Sequence, residues 1–470
     1  MALTFWGVIV NRLFRMRFWR FFSNWPSLVE TYFFFSLIVV CAISIFQVFS
    51  MTLANPNHID FPYAFSEWLI NYSGGFVRRG LVGTLLLALD PQHITKLTNY
   101  LVFSTYCVCL LLFLVLTWIV FKSYLLSFLV VVSPTMLIQM AIHGSPHDIV
   151  ARKEILLFCF VLYIAIRTIK SINWAVHNKV KSSIPHRWGG RGGVLAIEVF
   201  TLSALGMLIH EGFLFFSAPV LTVLLWINLW VLHHRQRNWI MILYFFALAA
   251  LTALVVFYHG SEDVVQQIML SLPGSLKAEK FFEGDAIAYL SWPPSTQLRS
   301  VDPTWVEVTS LLVKPIPLLL GYFLGFGLFL GSYRRGETSI IVSLCVVGIS
   351  VGFVGISTVP MFIIGGDWLR WLTSFGVHAW ILIAVLTVFW RASIYSRDLG
   401  GDPENEYAGR QKNNGAFSRW VTGGVIVTSM IWIAVVPYFG FCCDRLPMRG
   451  WSMYKDAAGD VVQAILAIPI

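Results

Sequence analysis

The sequence predicts an all-α integral membrane protein of about eleven transmembrane helices, with an outer-leaflet amphipathic helix and a long external loop. Three observations predict it. Hydrophobic residues fill 57% of the 470 positions and charged residues only 12%, with a mean hydropathy of +0.73; a soluble domain is charged at roughly a quarter of its residues. Apolar runs long enough to cross a hydrocarbon core of about 30 Å, at about 1.5 Å per residue, recur along the chain. The polar stretches between them alternate between basic and mixed.

In chain order, residues 1–28 set Arg12, Arg15, Arg17 and Arg20 among aromatics, the pattern of a basic amphipathic helix on the cytoplasmic face. The same arginines interrupt the first apolar stretch, so no cleavable leader is expected. A polytopic domain over 29–440 follows, with spans at about 29–51, 97–121, 123–142, 154–171, 193–209, 213–232, 238–258, 308–332, 338–358, 371–391 and 419–440. Gly80 to Leu89 is apolar but too short to span, and reads as a helix dipping into the outer leaflet. Segments 53–96 and 259–307 are the two external loops, the second rich in aromatics, charges and prolines, and 441–470 is an external tail. A long ordered loop of this kind usually covers a binding site.

Loop charge sets the orientation. With the N-terminus in the cytoplasm, 20 of the 33 Lys and Arg lie on the inner side, the bias expected of cytoplasmic loops. That bias also explains a pI near 9.2 without nucleic acid, for which the chain has no stacking motif. Cys41, Cys107, Cys109, Cys159 and Cys345 fall in apolar runs, and the neighbours Cys442 and Cys443 lack metal-type spacing.

On this orientation the polar clusters fall at external helix ends. Asp60 and Glu67 follow the first span, then Arg78 and Arg79; HGSPHDIVARKE supplies His143, His147, Asp148, Arg152, Lys153 and Glu154. His210 and Glu211 break a long apolar run where the chain turns, YHGSED carries His259, Glu262 and Asp263, and GGDWLRW carries Asp367 and Arg370. Each has a plain reading: interface anchors for Arg78 and Arg79, a charge-balanced helix start for Arg152 to Glu154, an i,i+3 pair for Asp367 and Arg370. Ionisable groups at membrane depth are costly and usually share a cavity, so their convergence reads as a site.

Arginines and a histidine beside carboxylates suit a lipid diphosphate, whose oxygens a guanidinium fork meets bidentately. Arg78, Arg79, Arg152, Lys153, His147, His210, Asp367 and Arg370 are the candidate substrate contacts, and Asp60, Glu211 or Asp148 the candidate base. Gly74 and Gly75 would let backbone amides approach phosphate. No cofactor is expected; His143/His147 and His210/Glu211 could supply metal ligands, but Pro146 breaks the helical spacing of the first pair.

An acidic residue after the first span (Asp60 in HIDFPYAFSEW), followed by an outer-leaflet amphipathic helix and two long outer loops, resembles the bacterial polytopic glycosyltransferases of the GT-C superfamily and the related surface-polysaccharide polymerases. The resemblance implies glycosyl transfer at the outer face of the bacterial inner membrane, a polyprenyl-linked sugar as partner among the membrane lipids, and Asp60 as catalytic base. The competing expectation is a transporter or flippase of a lipid-linked or anionic substrate, which usually places charges near the bilayer midplane.

Overall fold

A computed structural model describes residues 28–56, 62–133, 152–181, 189–232, 236–258, 260–274, 276, 286–291, 320–327, 330, 340–364 and 368–398. Every regular element among them is helical. The long helices are α1 (Leu28–Thr52), α4 (Ile94–Phe121), α6 (Glu154–Lys181), α7 (Gly189–Ile209), α8 (Phe213–Val231), α9 (Arg237–Phe257), α11 (Ile340–Ile364) and α12 (Trp368–Asp398). Between them lie the shorter α2 (Pro62–Leu69), α3 (Gly80–Leu89), α5 (Tyr124–Val131) and α10 (Glu262–Ser271), and a 3₁₀ turn at Ala288–Ser291. The eight long helices are each long and apolar enough to cross a membrane, so this is a multi-pass membrane protein.

Eight of the expected spans therefore have a helix. Of the run 123–142, residues 123–133 are described and carry α5, eight residues long and closed by Val132, whose N–H reaches back to Phe128 O; the rest of the run lies outside the described residues. Of the expected 308–332 span, residues 320–327 and 330 are described, and they are helical. The expected span 419–440, the basic segment before residue 28 and the tail 441–470 lie outside the described residues. Gly80–Leu89 is a separate short helix with the bounds the sequence suggests.

The centre of the bundle is α6, which packs on α4, α8 and α12. Val161, Leu162, Ile164, Ala165 and Ile169 of α6, Val220, Leu224 and Ile227 of α8, and Val377, Ile381 and Ile383 of α12 are fully buried. At the periphery α9 turns Trp239, Phe246 and Phe257 outward. Lipid is as apolar as these side chains and asks for no cover.

Polar groups inside the bundle meet across helices in neutral pairs. Ser203 and Tyr244 share a 2.9 Å hydrogen bond between α7 and α9, and Asn228 donates to Thr168 at 2.5 Å between α8 and α6. Trp380 donates to Ser133 at 2.9 Å, and Ser44 of α1 bonds Tyr106 of α4. His378 of α12 gives its Nδ1 proton to Ser374 O at 2.7 Å, leaving Nε2 to accept from the Ser217 hydroxyl of α8 at 3.0 Å. With no water at this depth, each such pair satisfies groups that would otherwise be orphaned.

The two ends of the bundle differ. At one, Glu30 of α1 accepts from Ser123 Oγ at 2.6 Å and from the N–H groups of Tyr124 and Leu125 at 2.5 and 3.3 Å, an anion on the N-terminus of α5. Arg391 of α12 donates to Val120 O there at 3.2 Å. The other end carries α2, α3, α10 and the ionic cluster described next.

Candidate functional site: an ionic cluster at one end of the bundle

The cluster is built from four separate stretches. Helix α2 buries Phe65, Trp68 and Leu69, and the same packing takes Glu67 to 0% exposure. The chain then turns through residues 70–79. Asn71 Oδ1 accepts the Ser73 N–H at 2.9 Å, Gly75 sits at φ 108°, and Tyr72 N–H donates to Thr84 of α3 at 2.9 Å. Arg79, the residue before α3, is held at φ 67°, a left-handed conformation rare for a side chain of its size. Contacts with Lys153 and Glu211 help keep it there. Lys153 Nζ donates to its carbonyl at 2.7 Å, its Nε donates to Glu211 Oε2 at 2.6 Å, and its Nη2 bonds Glu211 Oε1.

The third stretch is the start of α6, residues 152–154. Arg152 Nη1 donates to Glu67 Oε1 at 2.7 Å, and Arg79 Nη1 stands 3.4 Å from the same oxygen. Glu154 opens the helix, where a carboxylate suits the dipole. The fourth stretch is the tight α7–α8 turn. Gly212 N–H donates to His210 Nδ1 at 2.9 Å, so a neutral His210 carries its proton on Nε2, which faces Glu154 Oε1 at 3.3 Å. Glu211, next in the turn, meets Arg79 and lies 3.5 Å from Arg78 Nη1.

The result is a buried floor under a part-open mouth. Glu67, Arg152, Lys153, Glu154 and His210 are buried, whereas the side chains of Arg78 and Arg79 are 16% exposed and that of Glu211 22%. Four cationic side chains (Arg78, Arg79, Arg152, Lys153) face three carboxylates (Glu67, Glu154, Glu211). Burial acts first on Lys153 and pushes its ammonium down to about 7, against the upward pull of Glu67. For Glu211 burial would raise the carboxyl, but Arg79, Arg78 and His210 override it and hold the group well below the usual carboxylate range.

The segments around α2, α3 and α10 pack on one another above this floor. Arg78 N–H donates to Tyr258 O at 3.2 Å and Ala286 N–H to Ser66 Oγ at 3.1 Å. Asn71 donates to Ser271 of α10 at 3.1 Å. Gly74 faces the backbone of α10, and a Cβ there would come within 2.8 Å of Val264 O. Gly74 thus allows the close approach of α10, and Gly75, at its positive φ, allows the turn.

The structure brings together Arg78, Arg79, Arg152, Lys153, His210 and Glu211 of the expected site. Asp60, His147, Asp148 and Asp367 lie outside the described residues, and Arg370 lies in α12 with nothing described of its side chain. Sequence reasoning named Glu67 and Glu154 among the polar clusters but gave neither a substrate-contact or catalytic role; Glu67 ties Arg152 and Arg79 together, and Glu154 faces His210. The signal for Glu67 was a lone carboxylate in the apolar stretch AFSEWLI. The sequence also placed every charged cluster at an external end; Arg167 of α6 and Glu198 of α7, an ion pair at 3.0 Å, lie inside spanning helices instead. Arg167 was counted with the inner loop, but α6 runs on to Lys181.

Glu67, Glu154 and His210 bring ligand-type atoms within 4.8 Å of one another, the one such trio among the described residues. Arg152 already sits at hydrogen-bond length on Glu67, where a cation would compete with it. No protein-family model, curated protein or solved structure matches this chain.

Proposed function

We propose that the chain is a membrane glycosyltransferase or polysaccharide polymerase, working at the outer face of the bacterial inner membrane on a polyprenyl (di)phosphate-linked sugar. The observation that carries this reading is the part-open mouth: two guanidiniums and a carboxylate, Arg78, Arg79 and Glu211, at the ends of spanning helices over a rigid ionic floor. That is where a lipid's phosphates meet the protein while its chain stays in the membrane.

In this reading the sugar–phosphate bond breaks and the diphosphate leaves with the electron pair, neutralised by Arg78 and Arg79. An acceptor hydroxyl oxygen bonds to the anomeric carbon and its proton passes to a carboxylate, Glu211 or Asp60. The ion pairing gives Glu211 a specific behaviour. While Arg79 holds it in a fork, Glu211 is a weak base; phosphate oxygens that compete for that fork release it and raise its basicity. Donor binding and base activation are then one event. Lys153, Arg152 and Glu67 keep Arg79 aimed. No metal is needed for these steps, and none is proposed.

The competing reading, a transporter or flippase of a lipid-linked or anionic substrate, draws on one observation, the Arg167–Glu198 pair within the spans. The test has two parts. Lipids co-purifying with the chain are identified by mass spectrometry, and Glu211→Gln and Asp60→Asn variants are assayed for transfer from a polyprenyl diphosphate sugar. Transfer lost in at least one variant with lipid binding retained is the expected result. Full transfer in both, or no such lipid bound to the parent chain, overturns the reading.

A further inference from the structure

A second charged surface lies on α6, away from the cluster. Arg167 is thirteen residues past Glu154 (167 − 154), about 20 Å along the helix axis. Its Nη1 donates to Tyr163 OH at 2.9 Å and meets Glu198 Oε1 of α7 at 3.0 Å, and its guanidinium lies 5.8 Å from the Tyr163 ring centre. The plane of the guanidinium is thus fixed on one edge. Its Nε and Nη2 make no hydrogen bond to any described residue, and the side chain is 38% exposed. Lys170, one turn on along the same face, is exposed as well.

This surface faces what a spanning helix faces, the lipid. Beside it α7 turns out Val194 and Ile197, both more than half exposed. Two cations against one carboxylate leave a net positive charge. A charge at this depth costs several kcal/mol unless an anion meets it or the side chain reaches the interface. A second copy pairing through the same face would bring like charge to like charge. A phosphate on a lipid removes the excess: its oxygens suit the free edge of the guanidinium, and its acyl chains suit Val194 and Ile197.

We infer that the seam between α6 and α7 binds the phosphate of an anionic glycerophospholipid from the leaflet opposite the ionic cluster, on Nε and Nη2 of Arg167 and the Lys170 ammonium. Tyr163 and Glu198 orient the guanidinium. The inference stands apart from the proposed reaction, since it needs none of the cluster residues.

Native mass spectrometry of the detergent-purified full chain, incubated with phosphatidylglycerol or with phosphatidylcholine of matched chains, tests it. Phosphatidylglycerol is expected to be retained preferentially by the parent chain. Retention falls about tenfold in Arg167→Gln/Lys170→Gln, the scale of one charge-assisted contact. Lys170→Gln alone, an exposed change with no folding burden, gives a smaller fall in the same direction. Lys96→Gln, an exposed cation at the other end of the bundle, leaves retention unchanged. Equal retention of the two lipids, or an equal loss in Lys96→Gln, overturns the inference. So does a dimer that the double variant dissolves without any change in lipid, or a polyprenyl phosphate that displaces phosphatidylglycerol at equal concentration.

Discussion

The interior of the bundle and its cluster end handle polar groups in opposite ways. Between the spans, Ser217–His378, Ser203–Tyr244 and Asn228–Thr168 are neutral pairs, each closed by a partner on a neighbouring helix. At the cluster end, Glu67 serves Arg152 and Arg79, and Glu211 serves Arg79 and Arg78, so that one carboxylate holds two segments. A neutral pair contributes about 1 kcal/mol. A buried charge stripped of its partner costs several times that. The interior pairs therefore fix how helices meet, whereas the cluster makes four separate stretches stand or fall together.

The largest effect should come from the floor of the cluster. Glu67→Ala takes from the buried Arg152 the carboxylate it donates to at 2.7 Å and is expected to cost about 3–5 kcal/mol, read as a lowered thermal midpoint and loss of monodisperse protein in detergent. An effect under about 1 kcal/mol would mean the pair behaves as a surface one.

The charge state of the floor should show in the pH dependence. The Lys153 ammonium is lowered from 10.5 to about 7, so between those values the unfolded chain holds a proton that the folded chain lacks. Stability then rises with pH across that window, by up to about 1.4 kcal/mol per unit. Lys153→Met should flatten the rise. Glu211 gives a slope of the same sign in a more acidic window: its carboxyl is held low, so its contribution is present above the ordinary carboxylate range and is lost as acid protonates it. Thermal midpoints from pH 6 to 10 for the parent and Lys153→Met check the first trend.

Within the interior, Ser217→Ala removes the hydroxyl that His378 Nε2 accepts from and should cost about 1–2 kcal/mol, well below Glu67→Ala. The smallest change belongs at the opposite end. Ser123 caps α5 by accepting from Leu126 N–H at 3.2 Å, and Ser123→Ala should cost about 1 kcal/mol by the same thermal measurement. If these two equal the cluster substitution, the contrast between the regions fails.

Much of this architecture was legible in the apolar runs, because a span needs only length and hydropathy. The α7–α8 break was legible too, since His210 and Glu211 interrupt an otherwise continuous apolar stretch. What stayed hidden depended on side-chain direction. Whether Glu67 points into the bundle or out to water is decided by the packing of Phe65 and Trp68 on either side of it, and no span rule reports that. Gly74 was legible as a close-approach signal but not its neighbour, the α10 backbone from about 190 residues further on (264 − 74). Arg167 was hidden because a charge near the end of a run looks like a loop residue until the helix is seen to continue.

The claim beneath the rest is that Arg79 and Glu211 belong to one coupled unit joining the α3 turn to the α7–α8 turn. A double-mutant cycle with Arg79→Met, Glu211→Gln and the double variant, read by unfolding free energy in detergent, measures that directly. The account predicts a double variant costing less than the sum of the singles by about 1.5–3 kcal/mol. Additive losses, within about 0.5 kcal/mol, would contradict it.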